Sequence, residues 1–264
     1  MKHEYRALPT GPWQLGERTY TERAIKELAD WDRIEPLDVD KGTYGRILRC
    51  LKKVIKRRDP MVPVIQTVFN PIGVARYLAG DEIFLAHLRS DPRRLERALR
   101  ALTRTCTDFV HASVSEGADG IFLSTSAASY DVISVKEYDR FGRPYDLQVL
   151  EAASEGWFNI LHIHGQHPML SELADYPVHA INWHDRSAGP PLKEALKVFE
   201  GALMGGVEQY RILHLATPVE VEAQVRDAIR QTRGRRLIVT AGWTYPVTVP
   251  ECNLMAVRHA VDKT

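Results

Sequence analysis

The sequence predicts an α/β fold built on a parallel β-sheet, and three observations lead to this prediction. Short runs rich in β-branched residues alternate along the chain with longer segments of helical period, as in parallel α/β architectures. Most of the strong runs are apolar at consecutive positions, as expected for strands that are buried on both faces. The length of 264 residues is close to the roughly 250 residues of a (β/α)8 barrel.

The candidate strands are fewer than a complete barrel needs. The clear candidates, in chain order, are residues 62–68 (VPVIQTV), 120–123 (GIFL), 158–164 (FNILHIH), 178–183 (VHAINW) and 237–241 (LIVTA). Weaker candidates are residues 3–8 and a short stretch at either 205–207 or 212–214. Because a full barrel has eight strands, we expect a TIM-type barrel that is irregular or incomplete at its N-terminal strands.

The helices are marked by their capping residues. Asp91 and the proline that follows it suit the N-cap and first turn of a helix, and an apolar stripe at helical spacing continues behind them. The sequence from Thr217 to Glu220 is a capping box, and Gly234 predicts the end of that helix. Residues 44–55 predict a further amphipathic helix with a solvated basic cluster at its C-terminal end.

Composition excludes several classes of protein. The 35 basic and 34 acidic residues give a net charge of +1, which argues against a nucleic-acid binder. Three scattered cysteines without a CxxC pair support neither a disulfide framework nor a zinc ribbon. The chain shows no secretory signal and no apolar run of 18 residues, so we expect a cytoplasmic protein without a membrane span. No linker interrupts it, and residues 1–264 are expected to form a single domain.

Histidines are concentrated in one stretch of the chain. Five of the ten lie within 23 residues, and they are His162, His164, His167, His179 and His184. Alternate residues of a strand share a face, so His162 and His164 are expected to point the same way at the C-terminal end of a strand, where barrels carry their active sites. Such a pair predicts a metal site; a metal-free catalytic role and a purely structural role are the alternatives.

Several other polar residues follow candidate strands and predict the walls of a pocket at the same end. Cys252 is the candidate third metal ligand, because it lies near the start of the last helix. Substrate-binding candidates are Asn70, Ser124, His184, Asp185, Arg186, Trp243 and Tyr245. The fork of the Arg186 guanidinium matches a carboxylate, although an ion pair with a neighbouring acidic residue is an equal alternative.

These segments together resemble a known family. They are PVIQTVFNP, ARYLAG, EGADGIFLST, KEYDRFGRPYDLQVLEA, LHIHG, DYPVHAINWHDR, GALMGGV, TPVEVEAQVRDAI and AGWTYPVTVPECNLMAVRHAV. From about residue 60 to residue 262 the chain resembles the uroporphyrinogen decarboxylase superfamily. This resemblance implies a TIM barrel. The superfamily includes both haem-pathway decarboxylases and corrinoid- or folate-linked methyltransferases. LHIHG lies where the methyltransferases carry a His-x-Cys zinc motif, so the resemblance implies zinc at His162 and His164.

The chain also departs from both branches of that superfamily. Residues 1–60 are divergent and lack the arginine-rich segment and the early aspartate of the decarboxylases. Tyr77 resembles a decarboxylase tyrosine, which makes it a catalytic candidate. On the methyltransferase side, His164 replaces a cysteine, and Trp243 stands near the position of the later cysteine ligand. By the family pattern about one and a half strands are missing at the start, and residues 1–40 or a second copy of the chain, as a homodimer, are expected to cover that gap.

Three functions follow from these observations. The first is methyl transfer involving a corrinoid carrier or corrinoid protein, assisted by zinc bound to His162, His164 and Cys252. The second is cofactor-free decarboxylation of an acidic tetrapyrrole such as uroporphyrinogen, with Arg186 among the residues that bind its carboxylates. The third is a non-catalytic binding or assembly role. The first two imply a small-molecule substrate, either a tetrapyrrole or a methyl donor and acceptor.

Overall fold

A computed structural model describes residues 2–5 and 18–263 of the chain. The strands are β1 (Lys2–Tyr5), β2 (Arg18–Glu22), β3 (Ile65–Phe69), β4 (Gly120–Thr125), β5 (Ile160–Ile163), β6 (Ala180–Trp183), β7 (Ala202–Val207) and β8 (Leu237–Ala241). The α-helices are α1 (Gly42–Ile55), α2 (Pro71–Ala79), α3 (Asp81–Ser90), α4 (Pro92–Ser115), α5 (Val135–Phe141), α6 (Arg143–Ala152), α7 (Leu192–Ala195), α8 (Ile212–Leu215), α9 (Pro218–Thr232) and α10 (Glu251–Asp262). A 3₁₀ helix spans Leu28–Arg33.

The strands β3 to β8 form one parallel sheet in which neighbours in sequence are neighbours in space. Helices connect each strand to the next, or, between β5 and β6, an irregular segment does so. This is the strand order of a TIM barrel with six strands instead of eight within residues 2–5 and 18–263. The prediction of an α/β fold of barrel type that is incomplete at its N-terminal strands is therefore confirmed.

The N-terminal part of the chain takes a different form from the barrel strands. Strands β1 and β2 pair with each other in an antiparallel hairpin and do not join the main sheet. The weak candidate strand at residues 3–8 is confirmed in part, because β1 covers its first residues and residues 6–8 lie outside the described chain. The first 40 residues thus supply a hairpin and a 3₁₀ helix, not a seventh parallel strand, in their described part.

The apolar runs of the sequence coincide with the strands of the sheet. Each of the five clear candidates overlaps one of the strands β3, β4, β5, β6 and β8, and β7 covers the weaker candidate at 205–207. The alternative at 212–214 is wrong, since these residues begin α8. The reason is local: the Glu208 carboxylate accepts hydrogen bonds from the backbone N–H groups of Tyr210, Arg211 and Ile212, which turns the chain.

The capping signals of the sequence are confirmed at two helices. The Asp91 side chain accepts from the backbone N–H of Arg94 and starts α4. Thr217 and Glu220 form the reciprocal capping box of α9. A main core fills the space between the sheet and the helices, and the residues of β5 and β6 are completely covered by it. No helix among the described residues is long and apolar enough to cross a membrane.

Candidate metal centre

The C-terminal ends of β5 and β6 place three histidines side by side. The parallel register pairs His162 with Asn182 and Ile163 with Trp183. His164 directly follows β5 and His184 directly follows β6, so the two strand ends bring these imidazoles together. The ring centroids of His162 and His164 are 6.1 Å apart, and those of His164 and His184 are 5.1 Å apart.

His162 carries a buried nitrogen atom that is free to act as a ligand. Its Nδ1 lies 2.6 Å from the side-chain oxygen of Asn182. The amide nitrogen of Asn182 donates to the carbonyls of Met204 and Ala241, so its oxygen must face His162. Nδ1 therefore carries the proton, and the lone pair is on Nε2. Nε2 is buried and has no hydrogen-bond partner within the described chain.

His164 and His184 form a second, half-buried pair. The Nε2 atom of His184 lies 3.2 Å from Nδ1 of His164, and the side-chain nitrogen of Gln209 lies 3.3 Å from Nδ1 of His184. Since two neutral imidazoles make this contact with one N–H, one of the two facing nitrogens has a lone pair directed at the other.

Burial keeps all three imidazoles neutral. Burial lowers the pKa of His162 to about 3, although the hydrogen bond of His162 to Asn182 acts in the opposite direction. It also lowers the pKa of His184 to about 4, with repulsion from His164 as a second cause. The pKa of His164 is lowered by burial and by the charge of Arg76. Neutral imidazole is the form that binds metal ions.

The three side chains have the geometry of a metal site. One ring nitrogen from each lies within 4.8 Å of the other two. Tetrahedral zinc with Zn–N bonds of about 2.0–2.1 Å places its ligand nitrogens about 3.4 Å apart, so small side-chain movements suffice. The buried, unpartnered Nε2 of His162 is what a cation at this point would satisfy. The residues present therefore fit a metal ion.

Trp243 covers the imidazoles on one side. Its ring centroid is 4.5 Å from those of both His162 and His164. Gly242 permits this approach, because a Cβ atom at that residue would lie 2.8 Å from the Trp183 carbonyl oxygen and 2.9 Å from the His184 Cα. The residue that occupies the expected position of a cysteine ligand thus forms a hydrophobic wall against the cluster.

A cavity of about 460 Å³ lies beside the cluster on the inner face of the sheet. Its lining residues are Ile65, Thr67, Phe69, Tyr77, Phe122, Ser124, Asn182, Met204, Thr240, Ala241, Trp243 and Thr244. Three of the predicted site residues, Tyr77, Ser124 and Trp243, are among them. His162 and His164 do not line the cavity themselves; Trp243 contacts both rings and forms the cavity wall. The cavity is mainly apolar and has no charged lining residue in the described part of the chain.

Asn70, predicted to bind substrate, is buried in a structural network instead. Its side-chain oxygen caps α2 by accepting from the backbone of Gly73, and its nitrogen donates to Asp146. Asp146 also accepts from the hydroxyls of Tyr138 and Tyr176. The side-chain oxygen and nitrogen of Asn70 therefore both have internal partners, and its role in substrate binding stays a prediction.

Arg186 and Asp185, both predicted to bind substrate, likewise have partners within the protein. The guanidinium of Arg186 donates to the carbonyls of Gly206 and Gln224 and to the carboxylate of Asp227. Asp185 lies 3.3 Å from it and accepts from the Gly206 backbone. The fork is engaged by these ion pairs and hydrogen bonds within the protein, as the ion-pair interpretation expects, and the carboxylate clamp stays a prediction.

Cys252 and Tyr245 lie apart from the cluster. Cys252 is exposed in the first turn of α10, and its thiol donates a long hydrogen bond to the side-chain oxygen of the neighbouring Asn253. The histidine group does not include it, and Cys252 as a metal ligand stays a prediction. Tyr245 is exposed and does not belong to the cavity lining.

The third histidine and its neighbours were assigned differently from the sequence. His184, a substrate-binding candidate from the sequence, lies with His162 and His164 in the group whose ring nitrogens could hold a metal ion. Asn182 was missed, although a polar residue inside an otherwise apolar strand was a signal that it contacts another polar group. Gln209 had no such signal, since it follows β7 in an ordinary turn. The remaining two histidines of the stretch hydrogen-bond elsewhere, His167 to Asp131 and His179 to a backbone N–H.

Comparisons with known proteins agree with this architecture. The model of the family "Uroporphyrinogen decarboxylase (URO-D)" matches residues 13–264. The methylcobamide:CoM methyltransferase MtbA of Methanosarcina mazei is 29% identical over 238 residues, which are 88% of this chain and 67% of that protein. The MtbA protein of Methanosarcina acetivorans is 27% identical over 75% of this chain and 58% of its own length. The chain thus spans about three fifths to two thirds of the length of these relatives.

A decarboxylase and a solved structure are also similar. The uroporphyrinogen decarboxylase of a Synechococcus species is 23% identical over 87% of this chain and 66% of its own length. A solved methyltransferase from Methanosarcina mazei superposes with a TM-score of 0.76 at 22% identity, covering 87% of this chain and 70% of that one. At this level of identity the likeness establishes the fold.

Proposed function

The chain belongs to the uroporphyrinogen decarboxylase family, and from this premise we propose that it is a metal-dependent methyltransferase that acts on a thiol. The single observation that carries the proposal is the group of three neutral imidazoles with a buried, unpartnered Nε2 on His162. A methylated corrinoid is the proposed methyl donor, because the relatives with 27–29% identity are named methylcobamide:CoM methyltransferases.

His162, His164 and His184 are the proposed ligands of the ion, and zinc suits a site of imidazole nitrogens. The chemistry that a bound ion supplies is Lewis-acid assistance, which lowers the pKa of a thiol and favours the nucleophilic thiolate. Asn182 holds His162 in the tautomer that leaves Nε2 free. Such outer partners of metal-binding histidines fix the ring and its proton.

The surrounding residues favour a substrate in the neighbouring cavity. Trp243 stacks on His162, contacts His164 at a tilt of 48° and keeps water from that side of the rings. Tyr77 and Ser124 supply hydroxyl groups in the cavity wall and are the proposed substrate contacts. In this proposal the carbon–cobalt bond of the methylated donor breaks, the corrinoid keeps the bonding electrons as Co(I), and the methyl group joins the sulfur of a thiolate bound beside the histidines. The thiol proton goes to solvent.

Decarboxylation of a tetrapyrrole is the weaker proposal. It needs positioned cations for several carboxylates, whereas no lysine or arginine lines the cavity within the described residues and Arg186 is engaged internally. Because the chain is 23% identical to a protein named uroporphyrinogen decarboxylase, the test also measures decarboxylation of uroporphyrinogen. The test also detects protein that binds zinc and catalyses neither reaction.

The test combines metal analysis with two assays. We expect purified protein that was exposed to zinc and then desalted to retain about one ion per chain. We also expect it to demethylate methylcobalamin in the presence of a small thiol, which the visible spectrum of the corrinoid reports. His184→Ala should lose both properties. His167→Ala is the matched control, because this exposed histidine lies outside the cluster. Wild-type protein without bound zinc, or coproporphyrin formed from uroporphyrinogen under anaerobic conditions, would contradict the proposal.

A further inference from the structure

Two of the three imidazoles contact a side-chain amide, and the two amides are held differently. The Asn182 amide cannot turn over, because its nitrogen donates to two backbone carbonyls at 2.9 and 3.2 Å. The Gln209 amide lies 3.3 Å from Nδ1 of His184 and makes no other side-chain hydrogen bond within the described chain. Gln209 is only 3% exposed, so water does not readily replace its amide beside the His184 imidazole.

The orientation of the Gln209 amide determines where His184 carries its proton. With the amide nitrogen next to Nδ1, the amide donates and Nδ1 accepts. The proton of the neutral ring is then on Nε2, which donates to Nδ1 of His164 at 3.2 Å. In this state the Nε2 atom of His184 has no lone pair for a cation.

The ligand state requires the opposite arrangement. The Nε2 lone pair of His184 becomes available only when the ring proton is on Nδ1, and Nδ1–H then needs an acceptor. A half-turn of the Gln209 amide places its oxygen there. We propose that Gln209 is a positioning residue that sets the tautomer of His184, and that its amide turns over when the ion binds.

This inference rests on the proposed metal site and adds a role for a residue outside the ligand group. The ring keeps one proton in both states: the proton on Nε2 goes to solvent and another is taken up on Nδ1. His162 is prepared for the ion by the fixed amide of Asn182, whereas His184 is prepared only when the Gln209 amide has turned.

The experiment uses Gln209→Glu and Gln209→Leu in the full chain. A carboxylate only accepts hydrogen bonds, so Gln209→Glu should hold the proton on Nδ1 of His184 even without metal. Leucine has a similar size and offers no acceptor. Gln148→Glu is the matched control, because it adds the same charge at an exposed residue of α6. Thermal unfolding of the metal-free variants separates loss of structure from loss of positioning.

The first measurement is ¹⁵N NMR of labelled histidines in metal-free protein at pH 8. We expect His184 to carry its proton on Nε2 in the wild type and in Gln148→Glu, and on Nδ1 in Gln209→Glu. The second is zinc affinity by competition with a chelating dye. Gln209→Leu should bind about 10- to 100-fold more weakly than wild type, as for other outer partners of metal ligands, and Gln209→Glu at least as tightly as wild type.

The outcomes separate the two proposals. Wild-type protein that binds no zinc contradicts the proposed function, while the NMR measurement still decides the role of Gln209. The role of Gln209 is overturned if Gln209→Glu leaves the proton on Nε2, or if Gln209→Leu binds zinc as tightly as wild type. Weakened zinc binding in both variants, in step with their loss of thermal stability, would likewise overturn it.

Discussion

Two buried polar clusters of this protein treat their hydrogen-bonding groups in opposite ways. Around Asp146, the side chains of Asn70, Tyr138 and Tyr176 all donate to one carboxylate. Around His162, one nitrogen is fixed by Asn182 and the other is buried without a partner in the described chain. A satisfied network stabilises a fold, and an unsatisfied buried group calls for another explanation. The difference separates a structural cluster from a candidate ligand site.

Burial favours the neutral form in both clusters, with different consequences. It raises the pKa of Asp146 to about 6, although three donors act against this shift. It lowers the pKa of His162 to about 3. The Asp146 carboxyl accepts three hydrogen bonds that favour its ionised form, whereas the neutral imidazole of His162 has the lone pair that a cation requires.

The largest expected effect is on stability, and it should appear at only one of the clusters. Asp146→Ala leaves three buried donors without an acceptor, at a cost of about 1–3 kcal/mol each. We therefore expect the free energy of unfolding to fall by at least about 3 kcal/mol. His164→Ala in metal-free protein should lower it by about 1 kcal/mol, because this ring is half-buried. Urea denaturation checks both values; equal losses would remove the distinction between the clusters.

A smaller effect concerns the pH dependence of stability. Since the folded-state pKa of Asp146 is raised from 3.8 to about 6, the folded protein binds the proton more tightly than the unfolded chain. This contribution is fully present below pH 3.8 and is lost as the pH rises to 6. Relative to Asp146→Asn, the wild type should therefore gain about 1 kcal/mol between pH 6 and pH 5. Urea titrations at both pH values measure this difference, and a constant difference would show that Asp146 keeps an ordinary pKa.

The smallest expected effect is at Cys252. This thiol is exposed on α10 and is not part of the histidine group. Cys252→Ser should leave zinc affinity within about two-fold of wild type, as expected for a surface substitution. The chelator competition described for Gln209 provides the measurement. A large loss would place the thiol among the ligands and would sharpen the comparison by adding a residue to the cluster.

Local patterns predicted much of the fold and the first two members of the candidate site. The apolar runs marked five of the six parallel strands, and the capping residues Asp91 and Thr217 marked two helix starts. The spacing of His162 and His164 predicted that they share a face. These features depend on neighbouring residues, because side chains alternate along a strand and a helix start needs acceptors for its first N–H groups.

Other assignments depended on residues that are distant in sequence. Asn70 and Arg186 follow strand ends, as pocket residues do, but each finds internal partners: Asn70 contacts Asp146, 76 residues away, and Arg186 contacts Asp227, 41 residues away. Nothing in the local sequence shows that their hydrogen-bonding groups are already occupied. The same reason applies to Cys252, whose exposure follows from how α10 packs.

The parallel α/β architecture, its six-stranded sheet and the paired histidines of one strand could be predicted from the amino-acid order alone. That His184 is the third candidate ligand, that Gln209 contacts it and that Trp243 covers the cluster became visible only in the folded chain. The physical reason is that hydrophobic period and capping act between near neighbours. A ligand site instead requires particular lone pairs to meet at one point, and the register of β5 against β6 and the packing of the later loops determine that point.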